Sequence, residues 1–342
     1  MLLNLLLCLP LSVAQDGAPN RLSVVTSLPY IADIARLVGG EAVQASSLVP
    51  PGVDPHEVEL SPGQLAELRA ADLFLENGMQ LESWSPRVLE ASGRAELMQG
   101  GAAHAFVTNG IVPLDVPSAA VIEAGGHVHA AGNPHVWLDP LNLKQIAGNI
   151  ADALSRVAPE QRDAFQERRV AFDKRVDAAY FGEELESLLG GRTLDRLHRS
   201  GSLMSFLEGR EVRGEFLIEK LGGWLGRARA LPARRVVSYH STWTYLERSL
   251  GLEVFATLEE KPGIPPGPAY LEDLSRRARA EGVRIVIAPS YYPTVRLEGF
   301  AERIGGAALV LPTQPGELEG VDDVFGVFDS ILDALERAGA PR

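Results

Sequence analysis

Cysteine is all but missing: the 342-residue chain has one, Cys8. That excludes a disulfide framework and any cysteine-built zinc finger. Past the N-terminus, no stretch approaches the ~18 consecutive apolar residues of a membrane-spanning helix. His-Glu-x-x-His, Gly-x-Ser-x-Gly and the phosphate-binding Gly-x-x-x-x-Gly-Lys-Ser/Thr are all absent, so the usual signatures of zinc peptidases, serine hydrolases and nucleotide-binding enzymes are missing. Positive charge is short as well. The 32 Lys and Arg residues face 45 Asp and Glu, a net charge of −13, which argues against a nucleic-acid partner held by its phosphates.

What remains is an ordinary globular composition, 46% hydrophobic and 23% charged, with length enough for two domains. Residues Met1 to Ala14 are almost wholly apolar and close on Ser12-Val13-Ala14, a small-x-small cleavage pattern. A secretory signal peptide over 1–14 is the expectation, although no Lys or Arg precedes the apolar run. A buried N-terminal strand or helix is the alternative. Cys8 is a poor lipid-attachment site, because bulky Leu7 stands where a small residue is wanted. Cleavage after Ala14 would leave a mature chain with no cysteine, and its core is large enough to do without one.

From Arg21 onward the hydrophobic pattern alternates between strand and helix. Strands are expected at 21–27, 43–49 and 73–76, with helices at 31–38 and from Pro62 between them. After residue 235 the rhythm resumes, with strands at 236–239, 253–257, 283–288 and 308–311 and helices between and after them. Such alternation specifies an α/β fold with parallel sheets, here in two lobes. The expected divisions are an N-terminal lobe over 20–157, a long connecting helix over 158–182, a helical insertion over 183–231 and a C-terminal lobe over 232–342. Charges along 162–175 read as the solvated face of the connecting helix.

Three histidines stand in comparable places. His56 lies in Val53-Asp54-Pro55-His56-Glu57, His135 in Asn133-Pro134-His135-Val136-Trp137, and His240 in Val237-Ser238-Tyr239-His240-Ser241. Each is expected at or beside a strand end, in a proline-stiffened loop or just ahead of a helix. Ligands of parallel sheets bind at the loops beyond the strands' carboxyl ends. One histidine alone is more often a hydrogen-bonded structural residue than a ligand; three in equivalent settings shift that balance. Neutral imidazole is the commonest protein ligand for zinc, and nitrogen donors alone favour Zn over Mn. His127 and His129, in a small-residue loop, read equally well as transient metal ligands or as incidental residues of a solvated loop. Glu57 beside His56 could serve as the base of a zinc-dependent hydrolase, which keeps an enzyme open on chemistry alone.

These segments, with Glu76-Asn77-Gly78-Met79 to Trp84 and Glu259-Glu260-Lys261-Pro262-Gly263, resemble the zinc/manganese solute-binding proteins of ABC transporters, the cluster A-I metal receptors. The resemblance runs in motif order along nearly the whole mature chain. It implies two α/β lobes joined by one long rigid helix, with the metal in the cleft between them. It carries the ligand roles to His56, His135 and His240. That family's usual fourth ligand is a carboxylate just after the last strand, where this chain reads Leu311-Pro312-Thr313-Gln314. A water, Glu259 or Glu317 could complete the set, and Glu259 is preferred because prolines fix its loop. The implied function is capture of Zn²⁺, with Mn²⁺ as the alternative, and delivery to an ABC permease and its ATPase. The implied receptor is a periplasmic monomer and not an enzyme. The rivals are the zinc-dependent hydrolase and an exported adhesion protein that metal merely stabilises.

Overall fold

The computed structural model describes residues 21–123, 129–260 and 263–339. The expected signal peptide with Cys8, and His127 in the small-residue loop, lie outside them. Among the described residues no helix is long and apolar enough to cross a membrane.

Four strands make the N-terminal sheet: β1 (Leu22–Thr26), β2 (Val43–Ser47), β3 (Leu73–Glu76) and β4 (His104–Phe106). All pair in parallel in the order β2-β1-β3-β4. A two-residue hairpin follows in the middle of the chain, β5 (Glu211–Val212) and β6 (Glu215–Phe216). The C-terminal sheet holds β7 (Arg235–Ser238), β8 (Glu253–Thr257), β9 (Ile285–Pro289) and β10 (Ala307–Leu311), again parallel, in the order β10-β9-β7-β8. The winding is the same in both lobes. The first strand of each has its second on one side and its third on the other, so each lobe has a switch point where loops splay apart and leave room for a ligand.

The helix Arg162–Phe181 is the connector. At 1.5 Å per residue it is about 30 Å long. Phe165, Phe172, Val176 and Tyr180 fall on one face and are buried, while the charged residues, apart from the buried Asp177 that pairs with Lys144, lie toward the other. It stops at Gly182, whose φ of 93° only glycine adopts without strain. The stretch 183–231 then divides. Helices Glu183–Leu189, Gly191–Arg199 and Leu203–Glu208 lead to the hairpin. The helix Gly223–Ala230, by contrast, is built into the molecule. Gly222 packs directly on Gly182, and Trp224 stacks on Phe328 of the terminal helix Val324–Gly339 with ring centroids 4.8 Å apart.

The two lobes meet along a polar seam. Tyr30 N–H donates to Gln314 Oε1 (3.1 Å), Val324 N–H to Asp33 Oδ2 (2.9 Å) and Trp137 Nε1 to the Thr313 carbonyl (2.7 Å). Arg248 pairs with the buried Asp139 at 2.7 Å. One apolar core runs through both lobes, from Val24 to Leu335, and a smaller one fills the outer face of the C-terminal sheet. Two local expectations differ from what is found. Val136–Leu138 is a turn of 3-10 helix, so His135 precedes a helical turn and no strand adjoins it. Within the expected small-residue loop, Ala119–Glu123 forms a short helix.

Candidate metal centre

Two of the histidines are held by the same local device. In Asp54-Pro55-His56 the Asp54 Oδ1 accepts from the His56 backbone N–H (3.0 Å) and faces its Nδ1 at 2.7 Å. In Asn133-Pro134-His135 the Asn133 Oδ1 does the same, at 3.1 Å and 2.9 Å. The proline between them fixes φ and removes a competing N–H, leaving the Asx side chain to close a tight turn onto the ring. Trp84 Nε1 pins the Pro55 carbonyl (3.0 Å). The far end of that loop is tied by the capping box of Ser61 and Gln64, which starts helix Pro62–Ala70.

His240 is held across the sheet instead. The register pairs Ser238 with Thr257, so the residues two beyond each strand end, His240 and Glu259, come side by side. Glu259 Oε2 lies 2.8 Å from His240 Nδ1 and accepts from Gly263 N–H at 2.9 Å. The carboxylate expected as a fourth ligand thus faces Nδ1 of His240. Glu317, the other carboxylate considered, accepts from Thr313 N, Thr313 Oγ1 and Ser290 Oγ at 2.8 to 3.0 Å. Glu57 is exposed beside the buried His56.

The three rings converge although 79 and 105 residues separate them in sequence. Centroids of His56 and His135 are 5.6 Å apart, and His240 is 6.1 Å from each. His129 joins them, its ring 5.2 Å from His56 and its Nδ1 3.1 Å from the Gln80 carbonyl. Gln80 and Met79 both adopt left-handed φ, 64° and 55°, a pair of strained residues at the rim of the cleft. All four imidazoles are engaged through Nδ1, the arrangement in which an imidazole presents Nε2 to an ion. Tetrahedral zinc, ~2.0–2.1 Å from each nitrogen, would set ring centroids roughly 5 Å apart. Among the described residues no group of three His, Cys, Asp or Glu side chains stands close enough to hold a metal ion as it is. A cleft of about 250 Å³ opens onto His129, His135 and His240.

Electrostatics favours a cation here. His135 is 1% exposed, and its Nε2 has no hydrogen-bond partner. Burial, then the neighbouring His56, His240 and His129, hold its pKa well below the usual imidazole value, so it is neutral and able to ligate. Burial works against the Asp54 carboxylate, but its hydrogen bonds with His56 bring it below its ordinary range. Asp54 and Glu259 place two carboxylates just behind the nitrogens, matching the charge of a divalent ion. Behind His135, Asn77 Nδ2 reaches the Pro134 carbonyl (3.3 Å), and Tyr30 O–H donates to Asn77 Oδ1 (2.7 Å). Glu82, beneath them, accepts from Ser27 Oγ, Asn77 N and Gly78 N. Burial and then the charge of Glu76 push it up to about 8.

Sequence reasoning reached the three histidines and named His129, but missed Asp54 and Asn133. The signal was present in the shared Asx-Pro-His tripeptide. Glu259 was named as a ligand, and its carboxylate lies against His240 Nδ1.

A family model described as ZnuA, zinc-uptake complex component A, periplasmic, matches residues 24–187 and 218–338 and leaves 188–217 unmatched. The high-affinity zinc uptake system protein ZnuA of Bacillus subtilis is 22% identical over 333 residues, covering 94% of this chain and 89% of that one. The iron-binding protein YfeA of Yersinia pestis is 28% identical over 159 residues, 46% of this chain and 47% of that protein. The chain spans about half the length of the curated relatives that match it first. A crystal structure of a zinc-bound ZnuA deletion mutant superposes with a TM-score of 0.67 at 22% identity, covering 94% of this chain and 99% of that one.

Proposed function

Since this chain belongs to the zinc-uptake complex component A family, we propose that it is an exported receptor that captures a divalent transition metal between its lobes and hands it to an ABC permease and its ATPase. Zn²⁺ is the preferred cargo and Mn²⁺ the alternative. The observation that carries this reading is the convergence of His56, His135 and His240 from both lobes, each engaged at Nδ1 and the buried His135 Nε2 unpartnered. An all-nitrogen donor set suits zinc; manganese prefers oxygen. His129 supplies the fourth donor in this reading, and Glu259 orients His240 while offsetting charge. The receptor works in the periplasm as a monomer and performs no chemistry on its cargo.

The test is calorimetric titration of metal-stripped protein with Zn²⁺ and Mn²⁺, repeated on His135→Ala. One-to-one zinc binding, weaker manganese binding and a large loss in the variant are expected. Manganese preference would overturn the nitrogen-only donor set. Binding indifferent to His135 would overturn the site.

A further inference from the structure

Asn133 differs from its counterpart Asp54 in having a second, opposite end. Its Oδ1 faces the His135 N–H and Nδ1, while its Nδ2 donates to the Ser241 carbonyl at 2.7 Å and lies 3.3 Å from both Thr244 Oγ1 and Asp115 Oδ2. The orientation of this amide is settled by partners that have only one role. A backbone N–H can only donate, so Oδ1 must face His135, and a backbone carbonyl can only accept, so Nδ2 must face Ser241. An oxygen at Oδ1 then requires that His135 Nδ1 carry the ring proton. The Nε2 left bare is the buried atom without a partner. Ser241 directly follows His240 on the other lobe. Tyr245, on the helix Thr244–Leu250, adds a donor to the Asn133 carbonyl (3.1 Å) and accepts from Leu114 N–H (3.0 Å), closing the same corner.

We infer that Asn133 is the positioning residue that fixes the ring-proton form of His135 and, with the same amide, ties this ligand to the segment carrying His240. The inference rests on reading His135 as a ligand. Asn133 sets two things at once: which nitrogen of His135 is available, and how far it stands from a ligand of the opposite lobe. A carboxylate at 133 would retain the first and lose the second, because it has no proton for Ser241 and would face Asp115. Alanine would lose both.

The experiment is long-range ¹H–¹⁵N NMR of metal-free protein labelled at histidine, with zinc competition against a chromophoric chelator, on wild type, Asn133→Ala and Asn133→Asp. Wild type should show His135 in one form, protonated at Nδ1. Asn133→Ala should show a mixture and bind zinc about 10- to 100-fold more weakly. Asn133→Asp should restore the single form while its metal-free thermal midpoint falls below that of wild type. An unchanged His135 signature in Asn133→Ala overturns the inference, whatever happens to zinc. So does a scrambled signature in Asn133→Asp, which decides alone if the alanine variant does not fold. Because the ring signature is read without metal, a wild type that binds no zinc would defeat the receptor reading, and the role of Asn133 in fixing the His135 ring form would still be decided separately.

Discussion

Replacing Glu259 by glutamine separates two parts a carboxylate can play. If Glu259 orients His240, Glu259→Gln keeps an acceptor for Nδ1, and zinc binding should weaken by about 10- to 100-fold with one-to-one stoichiometry intact. Calorimetry checks this, and complete loss of the site would return the residue to the metal. A second residue-level outcome concerns Glu82. Folding raises its pKa from 4.5 to about 8, so between those values the folded chain holds a proton the unfolded chain has released. Its stabilising contribution is full below pH 4.5 and is lost as pH rises through about 8. Thermal unfolding across that window should show the slope, and Glu82→Gln should flatten it. At this scale the sequence was partly legible. The proposed ligand histidines stood out because each sat in a proline-bearing or strand-end context. The partners did not, because Asp54 and Asn133 look like ordinary turn residues until their side chains are seen folded back on the ring two positions on. Glu259 could not be paired with His240 without the register of β7 on β8.

Among elements, the strands were the most readable part, since β-branched runs closed by glycine and proline admit few other structures. β3 and β8 fall where the pattern put them. The 3-10 turn Val136–Leu138 was missed because three apolar residues in a row carry no period of their own. The helix Gly223–Ala230 was hidden in a glycine-rich stretch whose glycines serve close packing. Gly223 has φ 56°, and a Cβ there would stand 2.2 Å from the Ala179 carbonyl oxygen of the connecting helix. Gly223→Ala should therefore lower the thermal midpoint by several degrees, a cost of about 2 kcal/mol or more from strain and displaced backbone. At the other end of the site, Ser61→Ala removes one half of a capping box and should cost about 1 kcal/mol. Circular dichroism melts would check both.

For the whole molecule, the seam between lobes limits how far they can part. Opening the cleft by a hinge would break Tyr30–Gln314, Asp33–Val324, Trp137–Thr313 and Asp139–Arg248 together. Metal binding should accordingly leave the radius of gyration, about 20 Å for a chain of this size, unchanged by small-angle scattering. Hydrogen exchange should slow chiefly around His56, His129 and His135. The same seam carries a consequence for how the protein comes into being. The helix Pro29–Gly39 is bonded to residues 314 and 324, which lie 284 and 291 positions further along the chain from their partners. A chain that has reached the end of the connecting helix holds His56, His129 and His135, but lacks His240 and the surface that backs its own first helix. Such an intermediate has no complete place for an ion. Completion of the imidazole cluster therefore waits on residues that follow the connecting helix.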